Sequence, residues 1–336
     1  MNRPGSSIHA LLPPRSVVLG PMAGITEAPF RAICKRLGAA LTYTEMVSAA
    51  GLHFNPASRV SAALLTVAPE EAPCAVQLFG SDPEVMAAQA QRVVERLSSS
   101  VALIDINMGC PVSKITGKGE GAALMRTPDL AARIVSRVAE RCGVPVSVKC
   151  RAGWASDSVN AVEFARLMTR AGASLITVHG RTRDQFYRGA ADWTVISRVR
   201  DAVDIPVIGS GDVLSAGDIA RMFELAGVHA VMVARGAQGD PWIFERARFL
   251  LDTGTEPPPP SAFMRIDMAR EHGAALVAFG GERAFVRMRK HAGWYMTGLP
   301  GATRVRERVN AATSHAELDS ILAEYRQHLS DKGLTE

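Results

Sequence analysis

Eight short runs of β-branched and aliphatic residues, each bounded by Gly, Pro or polar residues, recur through the first 250 positions. They cover residues 17–19, 41–45, 75–79, 103–107, 146–150, 175–179, 207–208 and 230–234. Most are apolar throughout, as parallel strands buried on both faces must be. Between them, residues 83–97, 128–142, 158–171 and 214–225 repeat apolar side chains at spacings of three and four, which predicts amphipathic helices. Eight strand-then-helix units predict a (β/α)₈ TIM barrel, and they end near residue 250, about the usual length of that fold. A doubly wound open sheet also alternates strand and helix. Such a sheet usually carries G-x-G-x-x-G after its first strand, where this chain has Gly20-Pro-Met-Ala-Gly24. The barrel is favoured.

The pattern then changes. Gly254-Thr-Glu-Pro-Pro-Pro-Pro260 is a stiff, extended linker that cannot continue a helix. Beyond it, residues 262–279, 282–296 and 315–329 read as helices and no strand pattern appears. The expected organisation is a barrel over residues 1–253, a linker over 254–260 and a small all-α domain over 261–336. Charge is concentrated in that second part. Residues 283–308 hold seven Arg or Lys against one acid, Glu307, a net +6 that exceeds the +5 of the whole chain. A basic stripe of that kind is the footprint of a nucleic-acid partner.

The five cysteines, Cys34, Cys74, Cys110, Cys142 and Cys150, contain no C-x-x-C pair. This argues against a disulfide framework or a thiolate zinc site, so no metal is expected. Residues 1–14 hold one Arg and no long apolar run, and the chain lacks an apolar stretch of the roughly 18 residues a membrane span needs. A cytoplasmic protein without a membrane or an obligate protein partner is the expectation.

In a barrel, reactive groups gather at the carboxyl ends of the strands. Those ends offer Gln77, Asn107 with Cys110, Lys149 with Arg151, His179 with Arg181, Ser210 with Asp212, and Arg235. Any one of these has a bland structural reading, but six consecutive strands contributing polar groups to one mouth is harder to set aside. Strands seven and eight lead into the Gly-rich turns Gly209-Ser-Gly-Asp212 and Ala234-Arg-Gly-Ala-Gln-Gly239. Loops at those positions frequently hold a phosphate, and Arg235 can fork onto one. Lys149 interrupts an apolar strand, where a charge is costly unless it meets an anion or points into the mouth. Cys110 lies just past the fourth strand. By position alone it reads equally as a functional thiol or as a small buried hydrophobe.

The segments Gly20-Pro-Met-Ala-Gly-Ile-Thr, Val76-Gln-Leu-Phe-Gly, Asp105-Ile-Asn-Met-Gly-Cys-Pro, Val148-Lys-Cys-Arg-Ala-Gly-Trp, Val178-His-Gly-Arg-Thr and Gln238-Gly-Asp-Pro-Trp-Ile-Phe resemble the tRNA-dihydrouridine synthases, most closely the bacterial B type. The resemblance spans about residues 14–315. It implies an FMN-binding barrel, a helical tRNA-binding domain, NADPH as reductant and a D-loop uridine as substrate. It also implies roles. Pro21, Met22 and Ala23 would line the flavin, Gln77 would meet its pyrimidine edge, and Lys149 and His179 would contact the flavin or its phosphate. Ser210, Gly211, Asp212, Ala234 and Arg235 would hold the phosphate end. Asn107 and Arg151 would address the uracil, Cys110 would protonate it, and Arg287, Arg289, Lys290 and His291 would contact RNA. A free thiol, with a pKa of about 8.5, is mostly protonated near neutral pH and suits that acid role.

Two positions depart from the family pattern: Ser210 stands where Asn is usual and Ala234 where Gly is usual. Both changes predict weaker flavin affinity. Two other readings share these residues: a flavoenzyme acting on a free pyrimidine, and a tRNA-binding protein whose flavin site has decayed.

Overall fold

The computed structural model describes residues 8–334. Its eight strands are β1 (Ser16–Leu19), β2 (Val47–Ser48), β3 (Cys74–Phe79), β4 (Val101–Met108), β5 (Val146–Arg151), β6 (Leu175–His179), β7 (Val207–Ser210) and β8 (Ala230–Val233). They form one parallel sheet in the order β1-β8-β7-β6-β5-β4-β3-β2. The barrel helices are α1 (Ile8–Leu11), α2 (Ala28–Arg36), α3 (Ala49–Phe54), α4 (Arg59–Leu64), α5 (Pro83–Leu97), α6 (Ser113–Thr116), α7 (Pro128–Arg141), α8 (Ala161–Arg170), α9 (Trp193–Ala202), α10 (Ala216–Ala226) and α11 (Ile243–Thr253). After the proline segment come α12 (Ala262–Gly280), α13 (Phe285–Tyr295), α14 (Ala302–Ala311) and α15 (His315–Asp331).

The expected second strand, residues 41–45, is the one that differs. Its backbone closes the ring: Leu19 N–H donates to Leu41 O at 3.0 Å and Ala40 N–H to Val17 O at 2.9 Å. On the other side, Tyr43 bridges to Ala75. The regular ladder then breaks, because Gln77 N–H bonds to the Thr44 hydroxyl at 3.0 Å in place of a main-chain carbonyl. Pairing resumes only at Val47 opposite Leu78. Tyr43 faces Ala75 and Val47 faces Leu78, so the stretch leading into β2 carries one extra residue, a bulge of the kind found next to barrel rims.

Side-chain alternation sorts the strands into two cores. Val76, Ile104, Ile106, Val148, Ile176, Val178, Val231 and Val233 face outward and pack under the helices in the larger apolar cluster. The inward set starts apolar at the bottom, where Leu12, Tyr43, Ala75, Leu103, Leu175 and Ile208 fill the barrel. Two residues higher it turns polar with Gln77, Asp105, Ser147 and Thr177, all buried. Higher again are Asn107, Lys149, His179 and Ser210, joined by the registers Asn107 to Lys149 and His179 to Ser210. A strand period of two therefore delivers this top layer to the mouth.

The helices after the linker build their own core from Ile266, Leu276, Met288, Tyr295, Val309 and Leu322, which also takes in Ile33 and Trp242 from the barrel. Their docking is close. A Cβ on Gly239, in the loop after β8, would stand 2.4 Å from the Trp294 carbonyl carbon, and Gly239 has φ +73°. Of these helices α14 is the one that periodicity misses, because only Ala302, Val305 and Val309 are buried along it. Such a stripe is thin for a sequence signal.

One buried ion pair joins three segments of the barrel wall. Arg31, on α2, binds Glu71 through Nε and Nη2, both at 2.8 Å, with side chains 1% and 0% exposed. Arg31 also donates to Thr26 O and Thr66 O, while Glu71 accepts from Ala68 N–H and the Thr42 hydroxyl. Breaking a buried, hydrogen-bonded pair strands the other charge. Arg31→Met is therefore expected to cost about 3–5 kcal/mol in urea unfolding, and adding Glu71→Leu should recover most of that loss. A single-variant cost below about 1 kcal/mol would show that the pair does not brace the wall.

Candidate active site

The mouth of the barrel opens into a cavity of about 590 Å³ lined by strand ends and the loops above them. Pro21, Met22, Gln77, Asn107, Cys110, Lys149, Arg151, His179 and Arg235 all face it, and Ala23 stands at its edge. A narrower recess of about 100 Å³ adjoins it, walled by Ser210, Gly211, Asp212, Ala234 and Arg235 and sharing Lys149 and His179 with it. Of the barrel residues singled out from the sequence, all but the buried Arg181 line one or other of these two adjoining spaces.

Cys110 is positioned by a hydrogen-bond chain that begins inside the barrel. Ser147 donates to one oxygen of the buried Asp105, and Gln77 Nε2 donates to the other at 2.6 Å. Gln77 Oε1 accepts from Asn107 Nδ2 at 2.9 Å, and Asn107 Oδ1 accepts the N–H groups of Gly109 and Cys110 at 3.1 and 2.9 Å. Burial pushes the Asp105 carboxyl up, while its two donors oppose the shift. From the far side, Ala122 N–H donates to Cys110 O at 3.0 Å. Gly121, with φ +60°, leaves room for this: a Cβ there would sit 2.9 Å from Cys110 O. The thiol is half-buried against the cavity.

Arg151 is more structural than its strand-end position suggests. Nε donates to Gly109 O at 2.8 Å, and Nη1 donates to Thr182 O and Phe186 O at 2.8 and 2.9 Å. It therefore ties the Cys110 loop to the loop after β6, and Nη2 makes no hydrogen bond among the described residues. Asn107 is likewise spent on its neighbours.

Positive charge accumulates on the other wall. Burial, then Arg151, pushes Lys149 down to about 8, and Lys149 has no ion-pair or hydrogen-bond partner among the described residues. Burial, then Lys149 and the nearby arginines, holds His179 well below its ordinary range. Asp212 compensates on the Arg side, accepting from Arg181 at 2.7 Å and Arg235 at 3.3 Å, and the buried Asp105 acts on Lys149 from below. Burial would raise Asp212, but the Ala191 N–H and Arg181 hold it below the usual carboxylate range. A pocket whose cations repel one another is one that favours an anion.

Tyr187 was not legible as a site residue. It lies in the loop after β6, is 56% exposed, and places its ring under both Arg151 and Arg235 at 5.8 and 5.1 Å. An aromatic in a polar loop is its only sequence sign.

The basic stretch divides in two. Arg287 and Lys290 are exposed on α13. Arg289 donates to Ala312 O at 2.6 Å, capping the end of α14, and lies over Phe285. His291, expected to touch RNA, is 1% exposed and turns inward onto Glu27 and Trp294. It cannot serve as an RNA contact in this arrangement, because residues one apart on a helix point about 100° from each other and Lys290 takes the outer face. Tyr295 is core and Trp294 is half-buried.

None of the described helices is long and apolar enough to cross a membrane. Solved structures share the fold. Histamine dehydrogenase from a Rhizobium species aligns at TM-score 0.51 and 13% identity, over 78% of this chain and 49% of that one. A 2-naphthoyl-CoA reductase aligns at TM-score 0.52 and 10% identity, over 71% and 50%. At those identities only the fold is shared. Sequence comparison reaches further. The tRNA-dihydrouridine synthase B of Pseudomonas aeruginosa is 40% identical over 320 residues, covering 95% of this chain and 94% of that protein. That of Xanthomonas campestris is 43% identical over 305 residues, covering 90% of each. The dihydrouridine synthase (Dus) family model matches residues 18–332, and the chain belongs to that family.

Proposed function

We propose that this oxidoreductase reduces the C5=C6 bond of a D-loop uridine in tRNA, with Cys110 giving the proton to C5. The observation that carries this reading is the placement of a half-buried thiol, held through its own backbone, in the cavity that Lys149 and His179 line. The residues present suit FMN: an unpaired, desolvated ammonium beside a narrow recess with Arg235 at its edge is a site for a phosphate-bearing anion. FMN, when bound, supplies the hydride that uracil receives at C6, and NADPH replenishes it.

The remaining work falls to the chain. Arg235, Ser210, Gly211, Asp212 and Ala234 would hold the phosphate end, and Pro21, Met22 and Ala23 the isoalloxazine edge. Gln77 keeps one N–H and one lone pair free after bonding Asp105 and Asn107, enough to meet the pyrimidine edge. Lys149 and His179 stabilise negative charge there. Arg151 offers Nη2 to the uracil, while Asn107 acts chiefly by fixing the Cys110 loop. Ser210 and Ala234 leave the recess in place, so these two departures give little support to a decayed site. The substrate base must be presented unstacked, since the mouth cannot reach into a helix. Arg287 and Lys290 are placed to neutralise the backbone of the RNA that presents it.

Purified protein given NADPH and unmodified tRNA should form dihydrouridine. Cys110→Ala should slow that step by at least about 10²-fold while leaving NADPH-driven flavin reduction unchanged. Normal turnover in the variant would remove Cys110 from the chemistry, and reduction of free uracil in place of tRNA would favour a nucleobase dehydrogenase.

Lys149 gives a pH test. Its folded pKa, lowered to about 8, lies below that of an ordinary lysine, so neutral amine is populated at pH 8, and an arriving anion raises the pKa again. Binding of FMN to the apoprotein should therefore take up protons at pH 8, where the FMN phosphate is already a dianion, and this Lys149 uptake should fade as the pH is lowered to about 7. Calorimetry in buffers of different ionisation enthalpy reads this directly; no buffer dependence at pH 8 would refute it.

Replacing both Arg287 and Lys290 with Ala should weaken tRNA binding. It should also make the slope of log K against log salt shallower by about 1.4 to 1.8. An unchanged slope would place the RNA elsewhere.

A further inference from the structure

One buried group of metal-ligating side chains among the described residues lies outside the cavity: Glu27, His272 and His291. Glu27 ends the loop that carries Pro21, Met22 and Ala23 and stands at the N-cap of α2, while His272 lies on α12 and His291 on α13. Their exposures are 3%, 0% and 1%, and their ligand atoms lie within 4.8 Å of one another. Both carboxylate oxygens of Glu27 and Nε2 of His272 are buried without a hydrogen-bond partner; His291 meets Glu27 through Nε2, and its other nitrogen, Nδ1, is likewise unpartnered. A buried carboxylate left so is strongly disfavoured unless a cation meets it.

The spacing is also that of ligands sharing one ion. Nε2 of His272 and Nε2 of His291 stand 3.5 and 3.2 Å from Oε1 of Glu27. Ligands about 2.0–2.1 Å from a tetrahedral ion are separated by about 3.3–3.4 Å, a value the two distances straddle. Two imidazoles and a carboxylate are a donor set that zinc-class divalent ions favour. The second carboxylate oxygen is available as a further ligand.

The surroundings match a metal's outer shell. Tyr295 Oη lies 3.4 Å from Nδ1 of His272, the position of a partner that leaves Nε2 free to ligate. Phe30 stacks on His272 at 5.5 Å and Trp294 meets His291 edge-on at 5.3 Å, fixing both rings in an apolar wall. The missing C-x-x-C spacing excludes only thiolate sites and says nothing of ligands drawn from three distant segments.

We propose that Glu27, His272 and His291 bind one zinc-class divalent ion, which fastens the first loop of the cavity to the helices that follow the linker. The ion is structural, so its presence does not depend on the reaction assigned to the cavity. It sets how α13, and with it Arg287 and Lys290, is held against the barrel.

Elemental analysis of the full, untagged chain, purified without chelator, should find about one equivalent of zinc per chain, and His272→Ala with His291→Ala should lose it. Because that variant can fail to fold, the wild-type chain is stripped and titrated with Co²⁺. Visible d–d absorption that saturates near one equivalent and is displaced by Zn²⁺ supports the site. So does a melting temperature that rises with Zn²⁺ concentration. Metal below about a tenth of an equivalent in the purified chain, together with no Co²⁺ absorption and no thermal shift, overturns the proposal and leaves a carboxylate–imidazole hydrogen-bonded cluster.

Discussion

Eight strands that all run one way must present their carboxyl ends at one face, and the inward residues just beneath those ends must be satisfied in a dry interior. Asp105 is the crux of that second requirement. It is buried inside the barrel with no exposure, and it is tolerable only because Ser147 and Gln77 donate to it. Holding Gln77 holds Asn107, and holding Asn107 fixes two consecutive N–H groups of the Cys110 loop. The location of an apparently loop-borne thiol is therefore decided by a carboxylate two layers below it.

The parts legible in the sequence were those in which local pattern and global fold agree. Strand 175–179 and helix 83–97 were found at their observed limits, because each is a clean apolar run or stripe between turn residues. Residues 41–45 look like any other strand, but whether they form a full ladder was decided by the Thr44 hydroxyl, a tertiary detail with no periodicity. Lys149 could be read as a mouth residue because a charge in an apolar strand has few stable fates. His291 misled for the opposite reason. It sits in a run of cations, and only packing against Glu27 and Trp294, far away in sequence or across a helix turn, shows that it faces inward.

The same limits apply to roles. Position at a strand end identifies which residues share the cavity, yet it does not say what each side chain spends its hydrogen bonds on. Arg151 and Asn107 both face the cavity and both are largely committed to backbone groups of adjacent loops. Arg289, in the basic run, is committed to the end of α14. Counting donors already in use separates residues that hold the site from residues free to meet a ligand, and that count requires coordinates.

Gly239 belongs to the barrel by sequence, yet its backbone rests against that of Trp294 with no room for a side chain between them. The loop that carries Arg235 and the helix that carries Lys290 thus approach each other main chain to main chain. A chimaera that exchanged the helices of two relatives at the proline segment would cut the chain where it is covalently simplest and leave this mated surface mismatched. The modular joint of the molecule is the glycine contact, some fifteen residues before the linker that looks like the boundary.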